Sequence, residues 1–142
     1  MKQIKELFVN KNALAWFVLV TAVALHVIDE AITGFLPFYN QAVYDIKARL
    51  GFFPAPTFSF GMWIEGLIVA ILIGYSIIPL VARGGRIIRV VTLVVGIMMV
   101  INALGHLLGS LFTKTILPGM WSSPILLFAA LYVVVRGFRY DV

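Results

Sequence analysis

The chain has 142 residues, of which 62% are hydrophobic and only 12% charged, and its mean hydropathy is +1.05. Soluble domains carry about 25% charged residues, so this composition excludes a soluble enzyme or nucleic-acid-binding module, and the net charge of +5 reads as a membrane topology signal. Cysteine is absent, which excludes disulfides, thiolate metal ligands and cysteine nucleophiles.

The chain opens on a short basic head, residues 1–12, with Lys2, Lys5 and Lys11. An apolar span follows over about 13–35. A basic start, an apolar stretch and Ala22-Val23-Ala24 together imitate a signal peptide. The apolar run continues past that point and is long enough to cross a hydrocarbon core of about 30 Å, so a retained helix is expected. This span carries His26, Asp29 and Glu30. At helical spacing the three share one face with Ala22 and Thr33. Ionisable groups in hydrocarbon are costly unless paired, protonated or bound to an ion, so the cluster marks a candidate functional site.

Pro37 is expected to end the first helix, because proline removes a backbone donor and clashes with the preceding turn. In the connection over 38–57, Tyr39, Val43, Ile46 and Leu50 recur at helical spacing among Asn40, Asp45, Lys47 and Arg49. That pattern predicts a helix in the membrane interface, either a plain connector or a lid over the site. A second span, about 58–81, carries one charge, Glu65, beside the small-residue ladder Gly66, Ala70 and Gly74. Gly84-Gly85 breaks the chain before a third span, about 87–112. There Asn102 and His106 stand one turn apart on nearly the same face as Gly105 and Gly109, a face predicted to meet another helix. Pro118-Gly119 turns into a fourth span, about 121–138, with Trp121 and Tyr140 as interfacial anchors.

The sequence therefore predicts an all-α membrane protein, a single domain over 1–142 built as a four-transmembrane-helix bundle in the cell membrane. Lys2, Lys5, Lys11, Arg83, Arg86, Arg89, Arg136 and Arg139 fall on one side, against Lys47, Arg49 and Lys114 on the other. By the positive-inside rule both termini are cytoplasmic. A rise of about 1.5 Å per residue then places His26, Glu30, Glu65, Asn102 and His106 at roughly 20–28 Å from the cytoplasmic face. Three helices thus bring polar groups to one level in the outer half of the bilayer.

His26-Val27-Ile28-Asp29-Glu30 with Gly34-Phe35, then Asn102-Ala103-Leu104-Gly105-His106, then Pro118-Gly119, resembles the HXXEE-motif family of small prokaryotic membrane proteins over nearly the whole chain. The chain departs from that pattern at Asp29, which is one methylene shorter than the glutamate of the motif. The family has no assigned reaction, so this resemblance implies positions rather than chemistry. A second resemblance is to the emopamil-binding sterol isomerase group, through His26 and Glu30 in one span and Glu65 in the next. It implies proton movement on a lipid ring within a helical cavity.

Three chemistries compete for this set of residues. Two histidines and carboxylates on facing helices suit a metal, with His26, Glu30, Glu65 and His106 as candidate ligands of one zinc or iron ion. Without metal, Glu30 and Asp29, with Asn102 beside them, suit general acid/base work such as isomerisation. The third option is a buried network that only fixes helix packing. Interhelical polar contacts in membranes average only about 0.6 kcal/mol, too little to account for two histidines and three acids. Transport of a proton or small cation needs a path across the bilayer, which four spans with every polar group in one half lack and a homodimer could supply. No P-loop or dinucleotide fingerprint occurs, and Ser122 and Ser123 read as a helix cap before Pro124 rather than nucleophiles. The expectation is a membrane-embedded enzyme whose partners are the bilayer and a lipid-like substrate.

Overall fold

In the computed structural model, residues 10–139 are described and all the regular elements among them are helices. Lys2, Lys5 and Tyr140 lie outside the described residues. The first helix, α1, covers Lys11–Thr33 and starts where the Asn10 side chain accepts from the backbone N–H groups of Asn12 and Ala13 at 3.0 and 3.1 Å. It ends at Gly34, whose φ of 81° is the left-handed conformation that glycine adopts without steric cost. Gly34, not Pro37, is therefore the stop. Pro37 sits in the first turn of the next helix, α2 (Phe35–Leu50), where the missing N–H has no intrahelical partner to lose.

Helix α2 is the amphipathic element expected over 38–57, displaced toward the N-terminus. It buries Leu36 and Val43 and exposes Gln41, Tyr44, Asp45 and Arg49. The extended strap over 52–59 folds back along it. Asn40 Nδ2 donates to the Phe58 carbonyl at 2.9 Å, Phe58 N–H donates to Asn40 Oδ1 at 3.1 Å, and Tyr39 donates to the Pro56 carbonyl at 2.9 Å.

Helix α3 (Phe60–Ser76) continues after an interruption at Ile77 as α4 (Ile78–Arg83), because Pro79 cannot donate back to Tyr75. Helix α5 covers Arg86–Thr113 and α6 covers Ser123–Phe138. Helix α1, the stretch Phe60–Arg83 formed by α3 and α4 together, and α5 are each long and apolar enough to cross a membrane. Helix α6 is apolar but has 16 residues, a length of about 24 Å. Ile32, Ile87 and Phe112 are about four-fifths exposed, and no aqueous surface would carry so many large apolar side chains.

Helix α1 is the hub. Trp16, Leu19, Val20 and Ala22 meet Val81, Ala103, Leu126, Ala130 and Val133 in one core. Helices α5 and α6 form an extensively packed hairpin in which Gly96 lets Val133 and Val134 approach. Helix α3 meets α1 where Gly74 lies against Val20, and Trp16 Nε1–H donates to the Gly74 carbonyl at 2.8 Å. Only this end of the small-residue ladder is used, since Gly66 and Ala70 are exposed. The face carrying Gly105 is likewise open rather than packed on a helix of this chain, because nothing lies within 4 Å of a Cβ built there.

Candidate metal centre

His26 and Glu30 are one turn apart on α1, and the α5–α6 hairpin brings His106 to them. Glu30 Oε1 lies 3.5 Å from His26 Nε2 and 3.2 Å from His106 Nε2. The two imidazole rings are 4.9 Å apart and nearly perpendicular. All three residues are buried, and they form a group whose donor atoms lie within 4.8 Å of one another and could hold a metal ion.

The far side of His26 is held by a short relay. Ser122 Oγ–H donates to Asp29 Oδ2 at 2.7 Å, and Ser122 N–H donates to the same oxygen at 2.8 Å. With its one proton directed to that carboxylate, the Ser122 oxygen accepts from His26 Nδ1–H at 2.8 Å. His26 Nδ1 is therefore the donor in that contact, and Nε2 points into the group. His26 Nε2 is buried with no hydrogen-bond partner. Nε2 thus faces a Glu30 carboxylate oxygen across 3.5 Å, a gap that a proton or a metal ion would bridge.

The turn before α6 closes the site. Gly119 has a φ of 82°, and a Cβ there would stand 2.9 Å from His106 Cε1 and 3.0 Å from Glu30 Cγ, so only glycine fits. The turn is tied to α1 by Gly119 N–H, which donates to Thr33 Oγ1 at 3.1 Å. On the other flank Phe35 lies 5.5 Å from the His106 ring and 6.2 Å from Trp63, with Tyr39 stacked beside it. These rings line that flank of the site.

Of the four metal ligands expected from sequence, the structure gathers His26, Glu30 and His106 and leaves Glu65 out. Trp63 turns inward to Phe35, and two residues on a helix are about 200° apart, so Glu65 is exposed on the opposite face of α3. Asp29 does not join the three donors but anchors Ser122. Asn102 is half-buried, and its Oδ1 is buried without a partner. Ser122 stands at the helix N-cap position expected from sequence, but its hydroxyl makes no cap bond and serves the relay. The Pro118-Gly119 turn was the available signal, since it returns the chain to the level of His26.

A family model described as "Protein of unknown function with HXXEE motif" matches residues 16–134. No curated protein and no solved structure matches the chain, and the similarity to the emopamil-binding group is not found.

Proposed function

The chain belongs to the HXXEE-motif family, whose function is unknown, and we propose that it is a membrane-embedded metalloenzyme in which His26, Glu30 and His106 hold one zinc or iron ion. The observation that carries this reading is the unpartnered His26 Nε2, fixed by the Asp29–Ser122 relay and aimed at Glu30. Metal-ligating histidines commonly donate their other ring N–H to an orienting partner, the role the relay fills.

The spacing of the donor atoms supports a metal over a shared proton. Metal–nitrogen and metal–oxygen bonds of about 2.0–2.1 Å at tetrahedral angles place neighbouring donor atoms about 3.3–3.4 Å apart. The two edges that Glu30 makes with the histidines are 3.2 and 3.5 Å, and all three donor atoms lie within 4.8 Å of one another. A charge-assisted N–H···O bond would draw the same atoms to about 2.7–2.9 Å.

Structural zinc sites take four protein ligands and catalytic ones three, with the last position open to water or substrate. No fourth histidine or carboxylate joins the group among the described residues. Two histidines and one carboxylate suit zinc as a Lewis acid or iron with open positions, and the bound ion would supply polarisation of an oxygen or activation of water. The protein's own part is to orient His26, to exclude bulk water with Phe35 and Tyr39, and to admit an apolar substrate from the bilayer. The basic-residue asymmetry supports four spans in the cell membrane, with both termini cytoplasmic and the site in the outer half.

The test is metal analysis of detergent-purified protein after zinc or iron loading and gel filtration. Stoichiometric metal in the wild type, lost in His26→Ala and Glu30→Gln, is the expected result. Wild-type protein that retains none after loading would overturn the reading and leave proton sharing among the same residues.

A further inference from the structure

His26, Glu30 and His106 are all more than nine-tenths buried, so nothing reaches their donor atoms unless an element that covers them moves aside. Most of that cover belongs to the core. Helix α6 packs extensively on both α1 and α5, and the Gly119 turn is bound to α1 through Thr33 Oγ1. Helix α2 is the exception. Its contact with α1 is slight, and Leu36 and Val43 are the two side chains that it buries. Its first residue nonetheless covers the centre, because the Phe35 ring lies 5.5 Å from that of His106 and 6.2 Å from that of Trp63.

Both ends of α2 are glycines at positive φ, Gly34 at 81° and Gly51 at 73°, and nothing lies within 4 Å of a Cβ built at either. Unlike Gly119, neither admits a close neighbour; each is a point where the backbone can turn without a clash. Between them α2 is held by a latch more than by packing. Asn40 exchanges two hydrogen bonds with the backbone of Phe58, donating at 2.9 Å and accepting at 3.1 Å, and Tyr39 donates to the Pro56 carbonyl at 2.9 Å. Phe58 stands two residues before the start of α3, so the latch fastens α2 to the head of that helix. These bonds are exposed or only partly buried, and a segment with few buried apolar contacts and solvent-facing hydrogen bonds opens at low cost.

Taking His26, Glu30 and His106 as a working site, we propose that α2 is a lid over it, hinged at Gly34 and latched by Asn40 to the backbone of Phe58. Release of the latch lets α2 swing away from the head of α3 and lifts Phe35 off the His106 ring. Gly34 N–H donates to the Glu30 carbonyl, so the hinge lies one turn beyond that carboxylate, and α1 keeps the donors in place while α2 moves. Gly51 takes up the change at the far end, where the strap leads on to α3. Metal and substrate enter past Phe35.

The chain has two histidines, both in the centre, so their modification reads access to it directly. The probe is diethylpyrocarbonate, added to metal-free, full-length protein without a histidine tag in phosphatidylcholine nanodiscs, with His26 and His106 followed by mass spectrometry. Asn40→Ala removes both bonds to Phe58 and should speed modification at least about fivefold, the lower range for two net hydrogen bonds. Gln41→Ala removes only the Gln41–Asp45 bond on the exposed side of α2 and should leave the rate unchanged. The chain has no cysteine, so Asn40→Cys with Phe58→Cys offers one defined disulfide across the latch. Its oxidised form should react more slowly than wild type, and reduction should raise the rate to that of Asn40→Ala. Comparing one protein in two states removes misfolding as a cause. Equal rates in the two states, or a wild-type rate in Asn40→Ala, would place the entrance elsewhere and overturn the lid. Zinc added to the same samples keeps the two ideas apart. A latch-dependent rate without protection by zinc would retain the lid and remove the metalloenzyme, whereas protection by zinc with a latch-independent rate would do the reverse.

Discussion

Removing the Ser122 hydroxyl is the sharpest test of how the centre is held. In Ser122→Ala, His26 Nδ1–H loses its acceptor at 2.8 Å, and Asp29 Oδ2 keeps the backbone N–H of residue 122 but loses the hydroxyl at 2.7 Å. The imidazole is then free to move its hydrogen to Nε2, where it would donate to Glu30 and occupy the lone pair that a metal needs. Loss of such an orienting partner costs about 10–100-fold in metal affinity, or about 1.4–2.8 kcal/mol. Ser123→Ala is the matched control. Ser123 lies in the same turn, is fully buried and donates to the Gly119 carbonyl at 2.7 Å, but it touches neither His26 nor Asp29. It should lower thermal stability by about 0.5–1.5 kcal/mol, the worth of one hydrogen bond, with little change in affinity. Zinc titrations against a competing chelator in detergent, run beside thermal melts, read both quantities. Equal affinities for Ser122→Ala and Ser123→Ala would show that the relay does not control His26, and the tautomer argument would fail.

Glu65→Gln should bind metal within about twofold of wild type, because Glu65 is exposed on the far face of α3; a loss comparable to that of His106→Ala would restore it to the centre. The pair His26→Ala and His106→Ala should be strongly non-additive in the same titration, since groups that act as one unit do not contribute separately. Gly119→Ala adds a methyl against His106 and Glu30 at a positive φ, and strain of about 1–3 kcal/mol should appear as a lower melting temperature together with weaker metal binding. Reporter fusions at Arg86 and after Arg139 should read cytoplasmic and one near Arg49 external; an external reading at Arg86 would invert the proposed orientation.

Much of this protein follows from the order of its residues alone. Its membrane character, the three long apolar helices and the pairing of His26 with Glu30 on one face follow from composition and from the 3.6-residue period, which are properties of a single helix. The level shared by those residues and His106 follows from counting rise along each span. What counting cannot supply is the rotation of each helix about its own axis. Helix α3 is apolar on nearly every side, so no periodicity signals which face turns inward, and the contact of Trp63 with Phe35 decides that Glu65 points away. Equal depth was therefore a sound guide for His106 and a poor one for Glu65.

The same distinction explains Ser122 and Asp29. In sequence they are 93 residues apart, and nothing local marks a serine before Pro124 as other than a helix cap. Only the return of the α5–α6 hairpin onto α1, with Gly119 pressed against Glu30 and His106, brings the Ser122 hydroxyl between the Asp29 carboxylate and the His26 ring. Helical spacing could determine which residues share a face because that relation is set within one helix. The tertiary structure decided which face meets which, because side-chain packing between helices sets their rotation, and it is that rotation which leaves one nitrogen of His26 satisfied and the other aimed at Glu30.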